Sequence, residues 1–230
     1  MEIAAIVRIE KRKDGIMEKS KHLSCVDCGV LHCDYQNASY PEFCLTEKMT
    51  AEKQAEIMAL YEEEENNRVM RTAAEVEYEG YCKWPRVQEI VEFAKRMGFR
   101  KIGVATCAGL IRESRILAKI LRSHDFEVYS AVCKVGAVPK ADVGIDEKCN
   151  AVGKNMCNPI TQAALLNEEG TELNIVMGLC VGHDSLFYKY SEALVTTLVA
   201  KDRVTGHNPA AALYTAESYY QKLFAEKESK

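Results

Sequence analysis

The chain has 230 residues, of which 47% are hydrophobic and 28% are charged, and its formal net charge is −4. A chain of this length can bury one substantial core together with a small additional segment. The mildly acidic balance provides no basic surface for nucleic acid, so no nucleic-acid partner is expected. No continuous apolar run reaches the roughly 18 residues that a membrane-spanning helix needs, so no membrane association is expected.

The beginning of the chain is rich in lysine and glutamate and lacks the continuous apolar stretch of a signal peptide. We interpret residues 1–21 as a leader that need not be ordered, and either Met1 or Met17 can serve as the natural start. Without a secretion signal, the chain is expected to be cytoplasmic, in a compartment where thiols stay reduced.

Residues 22–48 form a cysteine-rich segment with the spacing C-x2-C-x4-C-x10-C, in which a glycine follows the first pair. The four cysteines are Cys25, Cys28, Cys33 and Cys44. Two thiolates separated by two residues can bind one ion from a tight turn, and two more complete a tetrahedral set of sulfur ligands. The spacing predicts a metal site. A disulfide framework or unrelated thiols are the alternatives, and a reducing compartment disfavours disulfides.

Residues 49–80 are predicted to form a helical linker. Thr50 is a candidate N-cap for this helix, because its hydroxyl can accept a hydrogen bond from the first turn. The run of glutamates at 62–65 is typical of a solvated helix face. Asn66 and Asn67 are predicted to mark a break between two helices.

Helices and strands alternate from residue 81 to residue 230, which we interpret as one core domain. Strands are predicted at 101–106, 126–133, 172–180 and 193–200, and helices at 85–98, at 109–123, from Pro159, from Asp184 and from Pro209. The apolar side of the last helix is predicted to consist of Leu213, Tyr220, Leu223 and Phe224. This alternation predicts an α/β fold with a parallel sheet of about four strands flanked by helices.

Three of the predicted strands end in a cysteine, namely Cys107, Cys133 and Cys180. The carboxyl ends of parallel strands share one edge of a sheet, where α/β proteins bind ligands, so we expect these sulfurs to form a second metal site. A fourth ligand can come from the loop after the second strand, where Cys157 precedes a helix and is better placed than Cys149. The alternative is that these cysteines are buried core residues that act as small hydrophobes.

Basic side chains follow the same strand ends. His183, Lys201 and Lys134 are the candidate catalytic residues, as a proton donor or as cations that neutralise thiolates or bind an anionic substrate. His207 is better explained as a helix cap or a backbone contact than as a ligand. Cys82 has no evident partner and is interpreted as a structural thiol.

Several cysteine motifs occur together in this chain: SCVDCGVLHC, YPEFC, TCAGL, CKVG, CNP, GLCVGHDSLF and KDRVTGHNP. As a set they resemble the bacterial and archaeal family known as domain of unknown function 1847, and the resemblance covers roughly residues 22–225. Members of that family are described as predicted cysteine-rich metal-binding proteins. The resemblance therefore implies metal binding at the cysteines, and it implies no known reaction.

Two functional hypotheses follow. The first is a cytoplasmic protein that binds zinc or an iron–sulfur cluster through thiolates, with redox or sulfur-handling chemistry at the sheet edge. If only three thiolates hold a cluster there, one iron is open to a small anionic or sulfur-containing ligand. The second is a non-catalytic protein that binds zinc or senses or delivers a soft metal. The sequence leaves open whether the protein is an enzyme and which oligomer it forms.

Overall fold

The computed structural model describes residues 23–30, 33 and 39–224, so the predicted leader at 1–21 lies outside the described residues. The chain divides into two compact units between Glu63 and Glu64, a boundary inside the predicted helical linker. In the first unit, a 3-10 turn at Cys25–Asp27 is followed by α1 (Leu45–Lys48) and α2 (Ala51–Glu62).

The hydroxyl of Thr50 accepts a hydrogen bond from the backbone N–H of Lys53 (3.2 Å), so Thr50 caps α2 as predicted. The predicted break at Asn66 and Asn67 is wrong. The helix is interrupted at Glu63, whose ψ of 135° leaves the helical region. The interruption lies within the run of glutamates, where like charges on neighbouring turns disfavour a continuous helix.

The second unit contains the remaining helices and all four strands of the described chain. Its elements are α3 (Glu64–Gly80), α4 (Arg86–Arg96), β1 (Lys101–Thr106), α5 (Ile111–Ser123), β2 (Glu127–Val132), α6 (Pro159–Glu168), β3 (Leu173–Met177), α7 (His183–Tyr190), β4 (Leu194–Val199) and α8 (Ala210–Tyr214). The strands are all parallel, in the order β2-β1-β3-β4. The predicted four-stranded α/β fold is therefore confirmed.

The two central strands are buried on both faces, as their nearly continuous apolar sequences favour. On one face, Ile102 and Val104 of β1 pack with side chains of α4 and α5. On the other face, Ala105 packs with Leu166 of α6 and Phe187 of α7. This alternation along β1 follows from the two-residue period of a strand.

The strand order creates a switch point between β1 and β3. From β1 the chain passes through α5 to β2 on one side, and from β2 it returns through α6 to β3 on the other side. The two helices cover opposite faces of the sheet, as right-handed crossovers in opposite directions require. At such a switch point a crevice opens beyond the carboxyl ends of the strands.

The prediction of one last helix that begins at Pro209 and includes Leu213, Tyr220, Leu223 and Phe224 is wrong. Helix α8 ends at Tyr214, and a turn follows in which the N–H of Tyr220 donates to the carbonyl of Thr215 (3.0 Å). Because this turn interrupts the helical spacing, Leu213 and Phe224 remain 73% and 60% exposed. None of the helices in the described part of the chain combines the length and apolar character needed to cross a membrane.

Helix α5 offers a matched test of this packing. Leu121 is 0% exposed against the sheet, whereas Ile116 on the same helix is 59% exposed. Leu121→Ala should lower the free energy of unfolding by about 2–5 kcal/mol, because it leaves a cavity in the core. Ile116→Ala should change it by no more than about 0.5 kcal/mol. Urea unfolding followed by circular dichroism measures both; equal losses would contradict this arrangement of α5.

Candidate functional site

Cys107 lies directly beyond the carboxyl end of β1. Its backbone N–H donates to the carbonyl of Met177 in β3 (3.0 Å), which extends the pairing of the two central strands by one residue. A short 3-10 helix, Ala108–Leu110, follows and turns the chain away from the sheet. The thiol of Cys107 is thereby held at the switch point between β1 and β3.

Cys133 occupies the corresponding position beyond β2, and its backbone connects three elements. Its N–H donates to the carbonyl of Thr106 at the end of β1 (2.8 Å), and its carbonyl accepts from the N–H of Asn158 (2.7 Å). Asn158 is the N-cap of α6 and follows Cys157 directly. These two backbone hydrogen bonds bring Cys157 to the same edge as the thiols of Cys107 and Cys133.

The thiol of Cys133 is buried, and it interacts with the thiols of Cys107 and Cys157 strongly enough to shift the pKa of all three, so we call these three thiols the sheet-edge cluster. Hydrogen bonding from Cys133 lowers the pKa of both Cys107 and Cys157 to about 5, against the opposing effect of burial. The same two contacts, with burial, raise the pKa of Cys133, which stays protonated. The backbone N–H of Ala108 also donates to its sulfur (3.3 Å).

Lysines flank the two outer sulfurs of the cluster. Lys201, which follows β4, hydrogen-bonds to Cys107 and contributes to the lowered pKa of that thiol. Lys134 does the same for Cys157, and its ammonium also donates to the carbonyl of Asn155 (2.6 Å). The nearby imidazole of His183 lowers the pKa of Cys157 further. All three basic residues predicted from the sequence therefore lie next to the sheet-edge cluster.

Cys180 does not end a strand, contrary to the prediction. β3 ends at Met177, and Gly178, at φ +68°, turns the chain before Cys180 is reached. The sulfur of Cys180 accepts a hydrogen bond from the guanidinium of Arg203 (3.1 Å), and this contact raises the pKa of Arg203. The charges of Cys107 and Cys157 raise it as well, so Arg203 faces the sheet-edge cluster.

The loop after β4 is shaped to present Lys201 and Arg203. The carboxylate of Asp202 accepts hydrogen bonds from the N–H groups of Val204 (2.9 Å) and Thr205 (3.0 Å). The ring of His207 accepts from the N–H of Asp202 (3.1 Å), which is a backbone contact of the kind expected for this histidine. Arg203 was not among the candidate site residues, although it lies only two positions beyond Lys201.

Gln162 of α6 is a second residue that sequence reasoning missed. Its side chain is 0% exposed, and its amide nitrogen donates to the carbonyls of Thr106 (3.2 Å) and Ala131 (2.7 Å). These carbonyls lie just before Cys107 and shortly before Cys133. Gln162 therefore ties the ends of β1 and β2 together. A polar residue on the buried side of α6 was the only available signal for this role.

The other two cysteines of the second unit do not join the cluster. The carbonyl of Cys149 accepts a hydrogen bond from the ammonium of the buried Lys140, within the loop between β2 and α6. Cys82 is exposed between α3 and α4, in a left-handed conformation with φ +55°. Both cysteines are suitable controls for experiments on the sheet-edge cluster.

In the first unit, all four predicted cysteines line one small cavity of about 40 Å³. Cys44 is buried there, and the backbone N–H of Glu47 lowers the pKa of its thiol. The sulfur of Cys33 lies 3.4 Å from the hydroxyl of Thr46. We call this set, Cys25, Cys28, Cys33 and Cys44, the N-terminal cluster.

The described cysteines are all free thiols, and the described residues contain no group of three histidine, cysteine or acidic side chains arranged as metal ligands. Ligation of an ion at either cluster would therefore require the sulfurs to draw closer together. Thiol side chains can do so by rotation about a single bond.

A larger cavity, of about 450 Å³, lies elsewhere in the second unit. Its walls come from α3, α4 and the beginnings of β3 and β4, and they are mostly apolar side chains such as Val76, Phe93 and Leu194. No cysteine or histidine lines it. The reactive side chains are at the opposite, carboxyl edge of the strands, which makes the sheet-edge cluster the better candidate site.

The lowered pKa values lead to a prediction for the metal-free protein. Between pH 8.5 and 6.5 an ordinary thiol loses about fifty-fold in thiolate and hence in alkylation rate. Cys107 and Cys157 should lose almost none, because their pKa values are about 5. Iodoacetamide labelling of chelator-treated protein, read by peptide mass spectrometry, measures this. The same cysteines in urea-unfolded protein should show the ordinary loss; equal profiles in both states would contradict the hydrogen-bonded cluster.

Comparison with known proteins identifies relatives of this chain. The model of a family described as "Protein of unknown function (DUF1847)" matches residues 44–198, a span that includes the sheet-edge cluster and begins after Cys33. The uncharacterized protein MJ0455 of Methanocaldococcus jannaschii is 52% identical over 171 residues, which cover 74% of this chain and 86% of that protein. The chain belongs to the DUF1847 family.

Proposed function

We propose that this protein binds a metal through cysteine thiolates, with its working site at the sheet-edge cluster. The observation that carries the proposal is the set of backbone hydrogen bonds that brings Cys107, Cys133 and Cys157 to one edge of the sheet. These three thiols come from different elements and meet at the edge where parallel sheets bind ligands. A reducing, cytoplasmic setting suits this function, because the thiols must remain free to ligate.

The chemistry of the donors fits a soft metal. Thiolates select zinc, copper(I) and iron–sulfur clusters over harder cations. Metal binding requires deprotonated thiols, and Cys107 and Cys157 already favour the thiolate form, so only Cys133 has a proton to lose at neutral pH. When bound, a zinc ion would supply Lewis acidity, or an iron–sulfur cluster electron transfer, at this edge.

The competing interpretation is that these cysteines are ordinary core residues. Cys133 does belong to the apolar cluster formed with α6 and α7, and Cys107 and Cys157 pack at its border. Thiols in an ordinary apolar core, however, are not accompanied by cationic side chains. Lys201 and Lys134 lie close enough to the outer sulfurs to lower their pKa values, and placing charged groups at a partly buried site is unfavourable unless they compensate another charge. The lysines therefore favour a working thiolate site.

His183, Lys134 and Lys201 are proposed to serve the site without binding the metal. The positive charges of Lys134 and Lys201 would compensate the negative charge of a thiolate-bound metal. His183 begins α7 and can also carry a proton to or from a bound ligand. If no reaction takes place, the same arrangement would serve to sense or deliver a soft metal. Turnover of a sulfur substrate would distinguish the catalytic form of the proposal from the non-catalytic one.

The N-terminal cluster is proposed to bind a second ion in a structural role. Its four cysteines line one small cavity, as the ligands of a single ion would. A site with four protein thiolates has no open position, and closed sites of this kind are usually structural. The hydrogen bond from the N–H of Glu47 lowers the pKa of the Cys44 thiol, which makes it easier to deprotonate for ligation.

The first experiment tests the sheet-edge cluster. Protein purified without air should contain metal, and the visible spectrum should distinguish an iron–sulfur cluster, which is brown, from colourless zinc. Cys107→Ser and Cys157→Ser should each remove the metal of this site, measured by elemental analysis. Cys149→Ser and Cys82→Ser should retain it. Wild-type metal content in both cluster variants would refute the proposal.

The second experiment tests the N-terminal cluster. Cys28→Ser should lower the bound metal by about one equivalent, because each structural site holds one ion through four ligands. Residues of the first unit should become more sensitive to proteolysis, since a structural ion contributes to folding. The second unit should be unaffected. A variant with unchanged metal content would show that these cysteines bind no ion.

A further inference from the structure

The proposed ligands of the sheet-edge cluster are three thiols, and cations border its outer side. Cys133 links Cys107 and Cys157 on the inner, buried side. The sulfur of Cys180, the next cysteine along this edge, is instead held 3.1 Å from the guanidinium of Arg203. Three protein thiolates leave a four-coordinate ion with one free position, as in catalytic metal sites.

Cations on this outer side lack carboxylate partners. In the described part of the chain, Lys134, Lys201 and Arg203 take part in no ion pair with a carboxylate. The nearest acidic residues along the chain make backbone hydrogen bonds: Asp202 accepts from Val204 and Thr205, and Asp184 accepts from its neighbour. The outer side therefore carries positive charge that an anion can neutralise.

Glycines keep the approach to this side open. A Cβ atom added to Gly109 would lie 3.5 Å from the ammonium of Lys201 and 3.8 Å from the sulfur of Cys107. A Cβ atom at Gly182, which precedes α7, would meet nothing within 4 Å. The space between a cation and a ligating thiol is thus bordered by backbone instead of side chains, which allows a small ligand to come close.

We infer that the outer side of the sheet-edge cluster binds a small anionic sulfur ligand, either hydrosulfide or the thiolate of a low-molecular-weight thiol. The inference rests on the proposed metal site, because a soft ion prefers sulfur to oxygen donors. Arg203 and Lys201 select the anionic form. The ligand's sulfur would occupy the position that three protein thiolates leave open on the ion, and a ligand that arrives protonated would release its proton to the solvent.

Cobalt(II) provides the measurement, because sulfur-to-cobalt charge-transfer bands report each thiolate bound. The full-length Cys25→Ser/Cys28→Ser chain limits cobalt to the sheet-edge cluster. Sodium hydrosulfide and 2-mercaptoethanol are titrated separately. At least one of them should strengthen these bands until the site is saturated, and the one that does so identifies the source of the sulfur. Inorganic phosphate should not. Gel filtration checks that cobalt stays on the protein. Arg203→Gln in the same chain should weaken sulfur binding about ten-fold or more with unchanged cobalt content, whereas Arg115→Gln on α5 should have no effect.

The outcomes separate this inference from the proposal on which it rests. If no cobalt binds, the metal site itself is refuted. If cobalt binds but neither sulfur ligand changes the spectrum, or phosphate competes equally, the sulfur site is refuted. Cys180→Ser should leave the cobalt bands and the sulfur response intact. If the Cys180→Ser change instead weakens the cobalt bands, and a response to sulfur ligands appears that the Cys25→Ser/Cys28→Ser chain lacks, Cys180 is the fourth ligand. That result overturns the inference.

Discussion

The site depends on the backbone of a single residue, Cys133. Its N–H continues the pairing of β2 with β1, and its carbonyl fixes the N-cap of α6. Because both partners are main-chain groups next to the other two cysteines, the positions of all three thiols follow from the parallel sheet itself. Gln162 reinforces the same junction from the buried side of α6. A scaffold of backbone hydrogen bonds holds thiols more precisely than flexible loops could.

This junction also explains the unequal environments of the three thiols. The sulfur of Cys133 faces the packed interior and receives a backbone N–H, whereas Cys107 and Cys157 border Lys201 and Lys134. The inner thiol keeps its proton while the outer two favour the charged form. The three sulfurs thus have apolar side chains on one side and cationic side chains on the other. They lie at the switch point of the sheet, between β1 and β3.

Much of this arrangement could be predicted from the sequence. The buried strands and the cysteines at their ends could be predicted because parallel strands are apolar and end in turns. The preference for Cys157 over Cys149 agrees with the position of Cys157 before α6. The positions of Cys180 and of the last helix were not readable, because each depends on a turn, at Gly178 and after Tyr214. Gln162 and Arg203 left only weak signals, a polar residue on the buried side of α6 and a position close to Lys201, because both act through tertiary contacts.

The sheet-edge thiols come from positions far apart in the chain, whereas the N-terminal thiols all lie within twenty residues of one another. An ion at the sheet-edge cluster can be held only when β1, β2 and α6 are assembled. Its binding energy would therefore add to the global stability of the second unit by mass action. An ion at the other cluster would stabilise one short segment. The same metal would thus have two different effects on stability. At the sheet-edge cluster it would stabilise the whole second unit, and at the N-terminal cluster it would stabilise only the local segment.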